Sequence, residues 1–104
     1  MIKKAVRMKV FPGKQKEYEK RHEKLWPNLS SMLKEYGCIS YSIWLDKDTN
    51  YLFGYLEIED EERWIKAADT AINRKWWDYM ADIMDTNMDN SPVSVDLYQV
   101  FDLF

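Results

Sequence analysis

A chain of 104 residues can bury one core but not two independent ones, so any site lies inside one domain spanning residues 1–104 or between copies of it. Hydrophobic residues at 46% and charged residues at 32% exclude a disordered chain, and no apolar run reaches the ~20 residues of a membrane helix. The net charge of −3 argues against nucleic acid as the main partner, because phosphate binding needs a concentrated basic surface.

The N-terminus MIKKAVRMKV carries charges where a signal peptide would be apolar, so the expected location is cytoplasmic. A lone cysteine, Cys38, excludes an intramolecular disulfide framework and fits a reducing compartment. It has no His or Cys partner at the spacing of a zinc site.

Residues Ile2 to Val10 predict a strand, with Ile2, Val6, Met8 and Val10 on one side and Lys3, Arg7 and Lys9 on the other. Pro12 and Gly13 punctuate the chain. From Lys14 to about Tyr36 the apolar spacing becomes helical, with Tyr18, His22, Leu25, Trp26, Leu29, Leu33 and Tyr36 recurring at three and four. Pro27 lacks an amide donor and crowds the preceding turn, so it kinks or restarts that helix. Lys14, Lys16, Lys20, Arg21 and Lys24 are interleaved with Glu17, Glu19 and Glu23, the pattern of a solvated helix face rather than a binding patch.

Gly37 is a helix stop. CISYSIWLD and YLFGYLEIE then read as two strands flanking the polar connector Lys47 to Asn50, with Ile39, Tyr41, Ile43 and Leu45 sharing a face of the first. Asp60 caps a short helix bearing Trp64 and Ile65. Thr70 starts another with Ile72, Trp76, Met80, Ile83 and Met84 along one side and Trp77 bordering it. Asp85 to Pro92 is loop-like, and Val93 to Phe104 alternates as a last strand.

The order βαββαβ favours an α+β, ferredoxin-like domain, an antiparallel four-stranded sheet with its helices on one face. The opposite face then receives Trp44, Tyr51, Phe53, Tyr55, Tyr98 and Val100, more apolar surface than a monomer normally exposes. Homodimerisation through the sheet is the expected cover.

His22 is the only histidine and follows Tyr18 by four residues on the apolar stripe of the first helix, so the two side chains project together. Imidazole titrates near neutral pH and can give or take a proton in the cell. The same spacing also suits a core histidine bonded to Tyr18 or to backbone. Tyr41, on the sheet face that meets the helices, and Trp76 should reach the same interlayer space. A cavity walled by Tyr18, His22, Tyr41 and Trp76 offers flat apolar surface together with hydroxyl, imidazole and indole groups. A pyranose needs that combination, since its C–H face stacks and its hydroxyls require partners.

Plain core packing is the other reading of Trp64, Trp76 and Trp77. Neighbours on a helix point about 100° apart, however, so Trp76 and Trp77 cannot both sit centrally on one buried stripe. Trp76 is expected to act as a stacking wall rather than as core filler. Asp82, Asp85 and Asp89 lack a calcium-loop pattern and read as a solvated helix end and loop. The three glycines form no phosphate-binding loop, and no serine sits in a nucleophile elbow.

EYEKRHEKLWP, YSIWLD, LEIEDEERW, KWWDYMADIM and NSPVS, in that order and running nearly end to end, resemble the L-rhamnose mutarotase family. These small enzymes interconvert the α and β anomers of L-rhamnose. The resemblance implies that His22 corresponds to the family's proton donor and that Tyr18, Tyr41, Trp76 and Trp77 correspond to its sugar-contacting positions. It also implies a dimeric ferredoxin-like domain of the α/β-barrel type and a reaction without a cofactor.

Opening a pyranose requires a proton on the ring oxygen and removal of one from the anomeric hydroxyl; rotation of the carbonyl before closure inverts the anomer. His22 could donate to the ring oxygen, with Tyr18, a carboxylate or water as the second partner. Two other classes fit the same architecture: a cofactor-free or haem-dependent oxygenase with His22 as a haem ligand, and a non-catalytic ligand-sensing module.

Overall fold

Alternation along the third strand organises the molecule. A computed structural model describes residues 1–103 and contains the strands β1 (Ile2–Lys9), β2 (Cys38–Leu45), β3 (Tyr51–Ile58) and β4 (Val95–Asp96) and the helices α1 (Gln15–Glu23), α2 (Pro27–Glu35), α3 (Glu61–Ile65) and α4 (Ala71–Met80), with a 3₁₀ helix at Lys66–Asp69. In β3, Leu52, Gly54, Leu56 and Ile58 are buried, while Tyr51, Phe53, Tyr55 and Glu57 face the other way. The antiparallel sheet runs β2-β3-β1-β4. Met8 lies opposite Leu52, and Val6 opposite Gly54.

The helices cover the Leu52 side, where Met8, Val10, Tyr18, Leu29, Met32, Trp76, Met80, Ile83 and Met84 close the core. Gly54 matters to this face. A Cβ there would lie 3.2 Å from Val6 Cγ2, closer than ordinary packing, so the missing side chain leaves room for Val6 on the neighbouring strand; Tyr41 Cε1, at 3.6 Å, would be in normal contact.

The helical stretch divides as its proline dictates. Pro27 is the first residue of α2, where its absent N–H is no loss. Gly37 ends the segment at φ 96°, a left-handed conformation that suits glycine. Asp60 caps α3 by accepting the Glu62 N–H at 2.9 Å. Thr70 caps α4 by accepting the Asn73 N–H at 3.4 Å.

Four expectations change. The first strand of the hairpin is bulged: Cys38 pairs with Ile58 and Ser40 with Glu57, so Ile39 is the extra residue and loses its place in the row with Tyr41, Ile43 and Leu45. The last helix ends at Met80. Ile83 and Met84 are buried beyond it, and this segment docks on the end of β1 through a Val10–Met84 bridge and the bonds Phe11 N–H to Ile83 O and Asp85 N–H to Lys9 O.

The final strand is only Val95–Asp96, paired with Arg7 and Val6. One further bond, Leu97 N–H to Ala5 O, continues it. Alternating side chains make a strand only where a neighbouring backbone accepts the ladder, and past Leu97 the tail is held instead by the Lys3–Asp102 ion pair at 3.0 Å. Phe104 lies outside the described residues. Tyr98 and Val100, 90% and 89% exposed, fall in this unpaired stretch, so the outer sheet face is carried by Trp44, Tyr51, Phe53 and Tyr55. Arg7 extends over the Tyr51 ring at 4.5 Å.

Since Leu52 is fully buried at the centre of the helix-covered face, we expect Leu52→Ala to cost about 2–5 kcal/mol in urea unfolding at fixed protein concentration. A loss below ~1 kcal/mol would place the core elsewhere.

Candidate functional site

The i,i+4 spacing of Tyr18 and His22 brings their rings together on the inward side of α1, stacked at 4.3 Å and 28°. The imidazole is then met edge-on by Trp76 of α4 at 5.4 Å and 89°. His22 Nδ1 lies 2.9 Å from the Tyr18 carbonyl oxygen. A carbonyl only accepts, so Nδ1 must carry the hydrogen. The neutral imidazole therefore keeps its lone pair on Nε2, the nitrogen left for proton exchange.

These rings form one wall of a cavity of about 1030 Å³ between the helices and the sheet. Tyr18, His22, Tyr41, Trp76 and Trp77 all line it. The volume is at the upper end for a small-molecule site and accommodates a pyranose with ordered water. Met8, Ile43, Leu52, Leu25 of the α1–α2 connector and the α2 leucines Leu29 and Leu33 make the apolar part, while Asn73 and Asn90 add amide groups.

The adjacent tryptophans divide as the 100° rule requires. Trp76 is 9% exposed and packs edge-on against Trp26 at 5.1 Å. Trp77 is half-buried, with the Arg74 guanidinium 5.5 Å from its ring. Trp76 belongs to the core as well as to the cavity, contrary to the expectation of a wall that is not core filler: a short helix crossing a small sheet has one inward stripe, and the cavity opens off it.

Burial sets the protonation states. It holds the His22 imidazole below the usual histidine value, with the bond to the Tyr18 carbonyl opposing it. Burial first and the neighbouring Tyr41 second push Tyr18 up. Tyr41 is also raised, by burial and then by Cys38, although 42% of its surface remains accessible. At neutral pH all three groups are therefore uncharged, and both phenols keep their hydrogens for donation.

Sequence reasoning missed three contributors. Asn90 reads as part of a turn, yet it lines the cavity and its Nδ2 donates to Asp78 Oδ1 at 3.0 Å. Asn73 lines it too, with Nδ2 donating to the Ala68 carbonyl at 3.2 Å. Arg21 reads as one charge of a solvated face, yet its side chain is only 11% exposed. Asp82 is Arg21's partner at 2.9 Å, and among the described residues no group of His, Cys, Asp or Glu is placed to hold a metal ion.

The model of the L-rhamnose mutarotase family matches residues 3–103. A curated L-rhamnose mutarotase from Lachnoclostridium phytofermentans is 58% identical over 103 residues, covering 99% of each chain. One from Enterococcus faecalis is also 58% identical, over 99% of this chain and 100% of the other. The crystal structure of L-rhamnose mutarotase from Formosa agariphila superposes with a TM-score of 0.92 at 41% identity, covering both chains completely. A dimeric ferredoxin-like protein from an uncultured marine organism, with a TM-score of 0.67 at 14% identity over 98% of this chain and 97% of the other, shares the fold.

With a single histidine, the imidazole C2 proton gives one resonance whose pH titration reads His22 directly. We expect a midpoint below the ordinary value of about 6.5; a midpoint at or above it would contradict the buried, neutral ring. The sign for stability follows. The unfolded chain takes up the proton first as pH falls, so His22 should lower stability as pH drops through about 6.5, with the loss levelling off below the folded midpoint.

Proposed function

Because the chain belongs to the L-rhamnose mutarotase family, we propose that its cavity binds the pyranose form of L-rhamnose and that His22 moves the proton by which the α and β anomers interconvert. The observation that carries this reading is the tautomer: Nδ1–H is committed to the Tyr18 carbonyl, so Nε2 is the single exchangeable position. At rest the ring is neutral; once Nε2 takes a proton from water, the imidazolium donates it to the ring oxygen while a base removes the anomeric proton, and the C1–O5 bond breaks. After the carbonyl rotates, the ring hydroxyl attacks C1, the imidazole takes its proton back, and the protonated base returns a proton to the former carbonyl oxygen, which becomes the new anomeric hydroxyl. Microscopic reversibility makes one group sufficient at that oxygen.

Tyr18, Tyr41, Trp76 and Trp77 hold the sugar. The tryptophan faces stack on C–H surface and the neutral phenols bond hydroxyls. The proton steps use side chains and water, so we assign no cofactor. The oxygenase and sensing readings have less support, since the curated relatives at 58% identity are L-rhamnose mutarotases.

We read residues 1–104 as one domain acting as a homodimer. Trp44 at 69% and Tyr55 at 37% exposure, beside Phe53, leave an aromatic outer sheet face that a second copy would cover. No helix among the described residues is long and apolar enough to cross a membrane. We place the reaction in the cytoplasm, on the single cysteine suited to a reducing compartment.

His22→Asn keeps a polar group and removes proton transfer near neutral pH. Exchange between the anomeric NMR signals of L-rhamnose, less the spontaneous rate, should fall by roughly 10²–10⁴ while sugar affinity changes little. Undiminished exchange by the folded variant would make the histidine structural. For the assembly, sedimentation at micromolar concentration should give a dimer that Trp44→Glu converts to monomer; a monomeric parent protein would remove the sheet-to-sheet pairing.

A further inference from the structure

We propose that Arg21 is a positioning residue that holds His22 at its working place by clamping α1 onto the C-terminal end of α4. The inference rests on reading His22 as the proton-transfer group. α1 needs such a device. It is nine residues long, its N-terminus has no side-chain cap, and Tyr18 is its one buried residue. A helix this short is not stable by itself, and tertiary contacts must set its position.

Arg21 supplies them from the residue next to His22. Its Nε donates to Glu17 Oε2 at 2.8 Å, within α1. The rest of the guanidinium crosses to the other helix: Nη1 donates to the Tyr79 carbonyl at 2.6 Å and to Asp82 Oδ1 at 2.9 Å, and Nη2 reaches Asp82 Oδ2 at 3.4 Å. The cation also lies 4.2 Å from the Tyr79 ring centroid.

The Tyr79 carbonyl is among the last four of α4, which lack an intrahelical partner and form the negative end of the helix dipole. A planar, permanently charged fork suits three acceptors in different directions; an ammonium does not. Tyr79 in turn packs against Trp76 at 5.6 Å, and Trp76 is the ring that meets His22 at 5.4 Å. The clamp thus grips α4 one turn away from the contact that locates the imidazole. Of the Arg21 bonds, those to Tyr79 and to Asp82, just past the end of α4, leave α1, so the Glu17 bond serves as an internal control.

The test measures anomer exchange, separated into kcat and KM, together with the single imidazole C2-proton resonance, which ring currents from Tyr18 and Trp76 displace. Arg21→Met keeps the apolar stem and removes the fork. Its kcat should fall by about 10–100-fold, the scale expected for misplacing a reacting group by an ångström or less. Its KM should change little, and its histidine resonance should move toward that of free imidazole. Arg21→Lys should recover part of both, and Glu17→Ala should leave both unchanged.

If Arg21→Met does not fold, Asp82→Ala, which truncates an exposed carboxylate, should show the same displacement and kcat loss in weaker form. A folded Arg21→Met, or failing that Asp82→Ala, with the parent resonance and kcat overturns the proposal, as does a Glu17→Ala effect equal to that of Arg21→Met. The resonance reads position without reference to catalysis. Should His22→Asn retain full exchange, the proton-transfer reading fails and the clamp stands or falls on the resonance alone.

Discussion

Tyr18 is the one residue that α1 buries, and the proton-bearing wall of the cavity depends on where that ring sits. It enters the core beside Met8, Leu29 and Trp76, supports the imidazole by stacking on it, and offers its own carbonyl to Nδ1. One residue thereby sets the height, tilt and tautomer of its neighbour one turn on. Because these effects operate within a five-residue stretch, they arise as soon as α1 forms. The sheet and α4 add the opposite walls and the desolvation.

The sheet contributes by what it omits as well as by what it presents. Gly54 lies on the helix-covered face between Val6 and Ile43. A Cβ in its place would press on the Val6 side chain at 3.2 Å. The other face follows the opposite logic, with full-sized aromatics on Tyr51, Phe53 and Tyr55 and Arg7 laid against one of them. A single strand thus gives Leu52 to the cavity on one side and an aromatic surface on the other, because its side chains alternate.

Much of this was legible in the sequence because it is local and periodic. The alternation of β3, the restart at Pro27 and the caps at Asp60 and Thr70 each depend on residues within a turn or two. So does the Tyr18–His22 pair, and the five expected site residues do line one cavity. What escaped depends on distant partners. Arg21 resembles its basic neighbours until Asp82, 61 positions away, meets it in space. The same limit explains Asn90, whose role depends on Asp78 orienting it, and the tail after Leu97, whose alternation needs a backbone neighbour that the fold does not provide. The bulge at Ile39 leaves no compositional trace, because one extra residue shifts register without changing residue type.

The charge arrangement of the cavity bears on how a ligand arrives. Its inner groups, Tyr18, Tyr41 and His22, are neutral at physiological pH, and the exposed charged residues that line it are two of each sign, Lys16 and Lys47 against Glu19 and Glu23. An uncharged sugar approaching such an opening meets no net field to steer it, and dissolved salt has little field to screen. Encounter is then governed by diffusion and by the size of the opening, and capture should be nearly indifferent to ionic strength. A site for a phosphorylated sugar would lack that indifference, because it would need a fixed positive potential within its walls.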